Sequence, residues 1–103
     1  MAPDYDLAPT VHADTPAQLK AIADPLRNQI LSLVMDRAAT VTELAQALDR
    51  PKSSMAYHVD QLVDVGLLRV VRTRKVRAIE ERFYGRVGRV IIIGEGAMPA
   101  GSR

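Results

Sequence analysis

The chain of 103 residues contains no cysteine and no tryptophan, with one phenylalanine, three tyrosines and two histidines. Without cysteine there is no disulfide, no thiolate metal ligand and no cysteine redox switch. Aromatics make up only 4%, so the core has to be aliphatic, which suits packed helices better than an aromatic-filled β sandwich. Long apolar runs are also missing: the run at residues 90–93 falls far short of the roughly 20 residues of a membrane span. The opening stretch MAPDYDLAPTVH carries Asp4 and Asp6 and lacks the basic start and apolar run of a signal peptide. These absences lead us to expect one soluble, cytoplasmic domain with no membrane partner. No phosphate-binding glycine loop, nucleophile elbow or His–carboxylate cluster occurs, and Glu80 and Glu81 are neighbours that point to opposite faces of an extended run. No catalytic residue emerges, an enzyme is not expected, and no cofactor or metal is called for.

What is present is uneven charge. The net charge is only +2, yet residues 1–68 hold five Lys or Arg against nine Asp or Glu, and residues 69–89 hold eight basic residues against Glu80 and Glu81. The eight are Arg69, Arg72, Arg74, Lys75, Arg77, Arg82, Arg86 and Arg89. Segregation of this kind points to a polyanionic partner at one face.

The basic block adjoins the stretch PKSSMAYHVDQLVDVGLL, residues 51–68. Pro51 suits a first helical turn, and Gly66 suits the left-handed residue that ends a helix. Between them Met55, Val59 and Leu62 recur at helical spacing, while Lys52, Ser53, Ser54, Tyr57, His58 and Gln61 share the other face. That face carries no acid and is rich in donors and acceptors for phosphates and base edges. It reads as a recognition helix, against the plainer reading of a solvated helix face.

Upstream, residues 1–14 have no sustained period and are expected to form a flexible arm. Thr15-Pro16-Ala17-Gln18 is a capping box opening a short helix to about Ala23, with Leu19 and Ile22 inward. Asp24-Pro25 opens a second helix to about Arg37, with Leu26, Ile30, Leu33 and Val34 on its inner face. Thr40 and Val41 suit a very short strand, and Thr42 caps a third helix through Leu48. The short Asp49-Arg50 turn before Pro51 then gives helix-turn-helix spacing. Downstream, Leu67–Arg74 and Val76–Tyr84 are β-prone runs joined around Lys75, a hairpin with a basic tip. Helices followed by such a ribbon give the expected fold class: mainly α with a small β hairpin, a winged helix-turn-helix. In that frame Arg72, Arg74, Lys75 and Arg77 reach phosphates or a minor groove while the helix over residues 52–65 enters the major groove.

The segments ADPLRNQIL, TVTELAQAL, PKSSMAYHVDQLVDVGLL and RVVRTRKVRAIEERFYG occur in that order and resemble the ArsR-type winged helix-turn-helix domain of bacterial transcriptional regulators over residues 15–86. The resemblance implies a homodimer that binds a palindromic operator in double-stranded DNA and represses transcription until an effector, unknown here, releases it. It also implies DNA-contact roles: Ser53 and Ser54 to a phosphate or base edge, Tyr57 and His58 to a phosphate or sugar, Lys52 and Gln61 on the same face, and the wing cations for salt-dependent affinity. The metal sensors of that family use cysteines or carboxylate–histidine pairs; the only histidines here are His12 and His58, so a metal sensor is not expected. The family's helix after the wing is missing too. Residues 87–103 are glycine-rich, with a strand at Val90–Ile93 and a flexible tail. That strand has three open places: in the wing sheet, across a dimer, or in a longer protein. The competing function is a winged-helix module that binds an acidic protein surface and never touches DNA.

Overall fold

The structure is a computed structural model and describes residues 3–94. Its elements are β1 (Ala8–Ala13), α1 (Pro16–Ile22), α2 (Pro25–Leu33), α3 (Val41–Leu48), α4 (Lys52–Asp64), β2 (Leu68–Val76), β3 (Ile79–Arg86) and β4 (Gly88–Ile93). Among the described residues no helix is long and apolar enough to cross a membrane.

Local chemistry sets the helix starts. Thr15 and Gln18 form the expected capping box of α1, each satisfying the other's backbone N–H at 3.1 Å. Asp24 caps α2 by accepting from the backbone of Leu26 and Arg27. The third helix starts earlier than its sequence suggests: Thr40, not Thr42, is the cap, because Glu43 stands three residues on and closes a second capping box. At the far end of α4, Gly66 has φ +79°, and the Leu67 amide bonds back to the Leu62 carbonyl at 3.0 Å. That left-handed turn aims Leu67 and Leu68 into the core. The core itself is aliphatic: Ile30, Val34, Leu44, Met55, Val59, Leu62, Leu67 and Leu68 are fully buried, with Tyr84 closing one side. On α1 it is Ala21 that is fully buried, with Leu19 and Ile22 only half-buried, and on α2 Leu33 faces outward while Leu31 turns in.

Two expectations are corrected. The α2 helix ends at Leu33 instead of near Arg37, and residues expected in a flexible arm are the reason. Tyr5 donates its hydroxyl to the Val34 carbonyl, the Asp4 amide donates to the Asp36 carbonyl at 3.0 Å, and the Asp4 carboxylate accepts from the Ala38 amide at 2.9 Å. These are backbone groups that a longer helix would pair internally. The arm then continues as β1, which runs parallel to β4 in a sheet separate from the wing. Of the three places open to the C-terminal strand, this structure thus gives a fourth. The tail expected beyond Gly94 lies outside the described residues.

Arg86 fastens this second sheet to the helices. It is 7% exposed, and its guanidinium donates to the carbonyls of Gly88, Leu31 and Arg89 at 3.1, 3.2 and 2.8 Å. Burial lowers its pKa, yet the carbonyls and the negative end of α2, where Leu31 lies, favour the cation. Tyr5 completes the joint: its hydroxyl accepts from the Arg86 amide at 2.9 Å, and its ring lies so close to Gly85 that a Cβ there would stand 2.6 Å from it. Only glycine admits the tyrosine at that point.

Candidate nucleic-acid interface

The helix-turn-helix pair is α3 and α4, joined through Asp49, which adopts the left-handed conformation at φ 54°. As the spacing predicts, Met55, Val59 and Leu62 anchor α4 in the core and leave the opposite face outward. Lys52, Ser53 and Tyr57 are exposed, Tyr57 by 56%, while Ser54, His58 and Gln61 are half-buried. Pro51 provides no side-chain cap, so the first-turn amides of α4 have no side-chain acceptor at the end where this face begins.

His58 is held from a second helix. Its Nδ1 accepts from Arg27 Nε at 3.1 Å. An arginine N–H can only donate, so Nδ1 is unprotonated and the remaining ring hydrogen lies on Nε2. The Tyr57 ring meets the imidazole edge-on at 5.3 Å. Asp24, capping the helix that carries Arg27, feels burial that raises its pKa, but the backbone amides of Arg27 and Leu26 that it accepts from lower it overall.

The wing differs from expectation at its tip. Val76 pairs with Ile79, so the turn is Arg77-Ala78, not Lys75, and Arg77 sits at φ 60°. A bulge between Val70 and Arg72 resets the alternation. The register Thr73–Arg82, Arg74–Glu81 and Lys75–Glu80 then separates the wing residues by face. Thr73, Lys75, Glu80 and Arg82 share one; Arg72, Arg74, Glu81 and Phe83 share the other. On the second face both guanidiniums lie over the Phe83 ring, Arg72 at 4.8 Å and Arg74 at 5.1 Å. Arg72 pairs with Asp4 at 3.3 Å, and Arg74 pairs with Glu81 at 2.6 Å. Arg69 is likewise engaged, donating to the Asp6 carbonyl. Of the eight cations in the basic block, then, Arg86 is internal, Arg69, Arg72 and Arg74 are held by neighbours, and Lys75, Arg77, Arg82 and Arg89 form no ion pair among the described residues. The structure therefore brings Lys52, Ser53, Ser54, Tyr57, His58 and Gln61 together on α4, places Lys75 and Arg77 at or beside the wing tip, and turns Arg72 and Arg74 to the wing's other face.

Comparison with known proteins agrees with this fold. A helix-turn-helix domain family model matches residues 22–71. Among solved structures, reduced HlyU from Vibrio cholerae N16961 is 33% identical, with 68% of each chain covered and a TM-score of 0.55. The ArsR family transcriptional regulator RHA00566 is 32% identical over 66% of this chain and 69% of its own, with a TM-score of 0.53. The chain belongs to the ArsR family of transcriptional regulators. Another relative, the homodimeric winged helix-turn-helix DNA-binding domain of Mb0332 from Mycobacterium bovis, is 25% identical over 67% of this chain and 59% of its own, at a TM-score of 0.55. A search of curated proteins by sequence finds no match. As an ArsR-family winged helix-turn-helix protein, the chain is a DNA-binding transcriptional regulator.

Two residues beside this candidate interface carry no signal in the sequence. Arg27 orients His58 across a helix boundary, an interaction between residues 31 positions apart. Arg82 stands on the same wing face as Lys75, and only a turn placed at Arg77-Ala78 puts it there.

Proposed function

We propose that this regulator binds a palindromic operator as a homodimer, each protomer laying α4 in a major groove and its wing tip on the adjacent backbone or minor groove, and that it represses transcription by occupying that site. The observation that carries this reading is the N-terminal half of α4. It is outward-facing and free of acid from Lys52 to His58, and it begins at an uncapped helix end beside wing cations. Ser53, Ser54, Tyr57 and the Nε2–H of His58 supply donors for base edges and phosphates, with Gln61 further along the same face. Lys52, Lys75 and Arg77 supply charge that carries little sequence information. The homodimer is supported by the homodimeric state of the Mb0332 domain and matches the two-fold symmetry of a palindrome.

The test is selection from a random pool of duplexes by the purified protein, followed by anisotropy titration of the enriched sequence. Enrichment of an inverted repeat with half-sites about one helical turn apart is the expected result. Enrichment of a single unrepeated site would remove the dimer from the reading, and no duplex binding even at low salt would remove the reading itself.

A further inference from the structure

The N-terminal arm and the second sheet enclose an open cleft of about 620 Å³, within the roughly 300–1,000 Å³ of small-molecule sites. None of its lining residues belongs to α3, α4 or the wing strands. Most of the lining is apolar: Pro3 and Leu7 come from the arm, Pro9 from β1 and Val90 from β4. Val90 is 52% exposed there.

Two charged side chains, Asp6 and Arg89, also line the cleft, and both are exposed. Their surroundings differ. Arg69 donates to the Asp6 carbonyl, so that acid already has a cation beside it. Arg89 forms no ion pair among the described residues, and its carbonyl accepts from the Arg86 guanidinium at 2.8 Å, which brings a second cation close. Arg86 in turn is held by carbonyls alone. Burial is the main cause of its lowered pKa, and Arg89 lowers it further. Two guanidiniums thus repel one another beside an apolar wall, and an anion at Arg89 would relieve that repulsion. A bare inorganic anion would leave the wall wet, whereas a carboxylate on an aliphatic chain satisfies both halves of the cleft.

The arm side of the cleft is the segment that also grips the rest of the fold. The Asp4 carboxylate accepts from the Ala38 amide and pairs with Arg72, the Tyr5 hydroxyl accepts from the Arg86 amide, and the Asp6 carbonyl holds Arg69. We propose that this cleft is an effector site for a medium-chain aliphatic carboxylate, with the carboxylate on Arg89 and the chain along Leu7, Pro9 and Val90. Such a ligand touches the arm and β4 at once, so it binds only while the arm is docked and in turn holds the arm down, keeping Arg69 and Arg72 from phosphates. Binding and its effect on the arm are measurable without DNA, so this inference can fail while the DNA-binding reading stands, and the reverse.

The experiment titrates the full chain with sodium octanoate by calorimetry, with 1-octanol as an uncharged probe of the same chain length. The wild type is expected to bind octanoate with a Kd of about 1 mM or below. Arg89→Gln should weaken it about tenfold or more, because a hydrogen bond between charged groups is lost, while octanol binds both proteins equally. Arg89→Lys keeps the charge and should fall between them. Amide exchange then reports the arm: the Ala38 amide donates to Asp4 and the Arg86 amide to Tyr5, so both exchange once the arm lifts. Octanoate at about ten times its Kd should raise their protection about 11-fold in the wild type, and about twofold or less at the same concentration in Arg89→Gln. A wild type that binds no octanoate at about 10 mM would overturn the inference. So would an affinity that Arg89→Gln leaves unchanged, or binding that leaves protection at Ala38 and Arg86 where it was. Arg89 is exposed, and an unchanged thermal melt verifies that the variants are folded.

Discussion

Arg77 occupies a position that hairpins ordinarily give to glycine. Its φ of 60° lies at the first residue of a two-residue turn, where a left-handed backbone costs a non-glycine residue roughly 1–2 kcal/mol. Glycine would remove that strain but lose about 0.5–1 kcal/mol more chain entropy. Arg77→Gly is accordingly expected to raise stability by about 0.5 kcal/mol and to weaken DNA binding, read by thermal melting and anisotropy on the same sample. A strained arginine retained at the wing tip makes sense if its side chain meets the nucleic acid; a variant that gains stability and keeps full affinity would remove that explanation. Tyr5 makes the opposite point, because here one hydroxyl stabilises the fold. Tyr5→Phe strips the Arg86 amide of its acceptor and the Val34 carbonyl of its donor. The expected cost is about 1–3 kcal/mol by denaturant titration, since the ring stays in place and only the polar partners are removed.

Elements that owe their form to neighbours in sequence are the legible ones. Thr15 with Gln18, Asp24 before Pro25, and Gly66 at the end of an apolar helical spacing each announce a helix boundary through interactions within a few residues. The outward face of α4 follows from helical spacing in the same way. Elements that depend on distant partners are not legible. β1 is a short run containing Pro9, and its partner β4 lies some 80 residues later, a pairing for which no local pattern exists. The wing turn contains neither Gly, Asn nor Pro, so the two β-prone runs are read as joining around Lys75; the true turn at Arg77-Ala78 exchanges the faces and trades Arg72 and Arg74 for Arg82. Nor can counting charges reveal that Arg86 is buried. The arm gives the structure an acid-sensitive element. The Ala38 amide and, more weakly, Arg72 lower the Asp4 pKa below its ordinary 3.8, and the amides of Arg27 and Leu26, opposing the effect of burial, lower that of Asp24. A carboxylate with a depressed folded pKa contributes stability in full above about 3.8, and that contribution is lost as pH falls through the folded value. Protection of the Ala38 and Arg27 amides from exchange, measured against the intrinsic rate at each pH, should therefore fall below about pH 4 ahead of that of the α4 core. Asp4→Asn should abolish the pH dependence at Ala38 alone.

The molecule as a whole carries a net charge of only +2, and its affinity for DNA has to come from how that charge is placed. If every cation of the basic block joined Lys52 at the DNA, nine per protomer would release counterions, and a dimer would show a log–log salt slope of about −16. The structure removes most of them from the interface. Arg86 is internal, Arg69 and Arg72 are held by the arm, Arg74 is held by Glu81, and Arg89 lies on β4. Lys52, Lys75, Arg77 and Arg82 remain, four per protomer, which sets the expected slope at about −7 for a dimer and about half that for a monomer. The slope thus reports assembly state and arm position together. A measured value near −7 fits a dimer whose arm stays docked on the wing. A value near −11 would mean that Arg69 and Arg72 leave the arm and pair with phosphates, and Asp4→Ala, which frees Arg72 in advance, would then tighten binding by an amount that shrinks as salt rises.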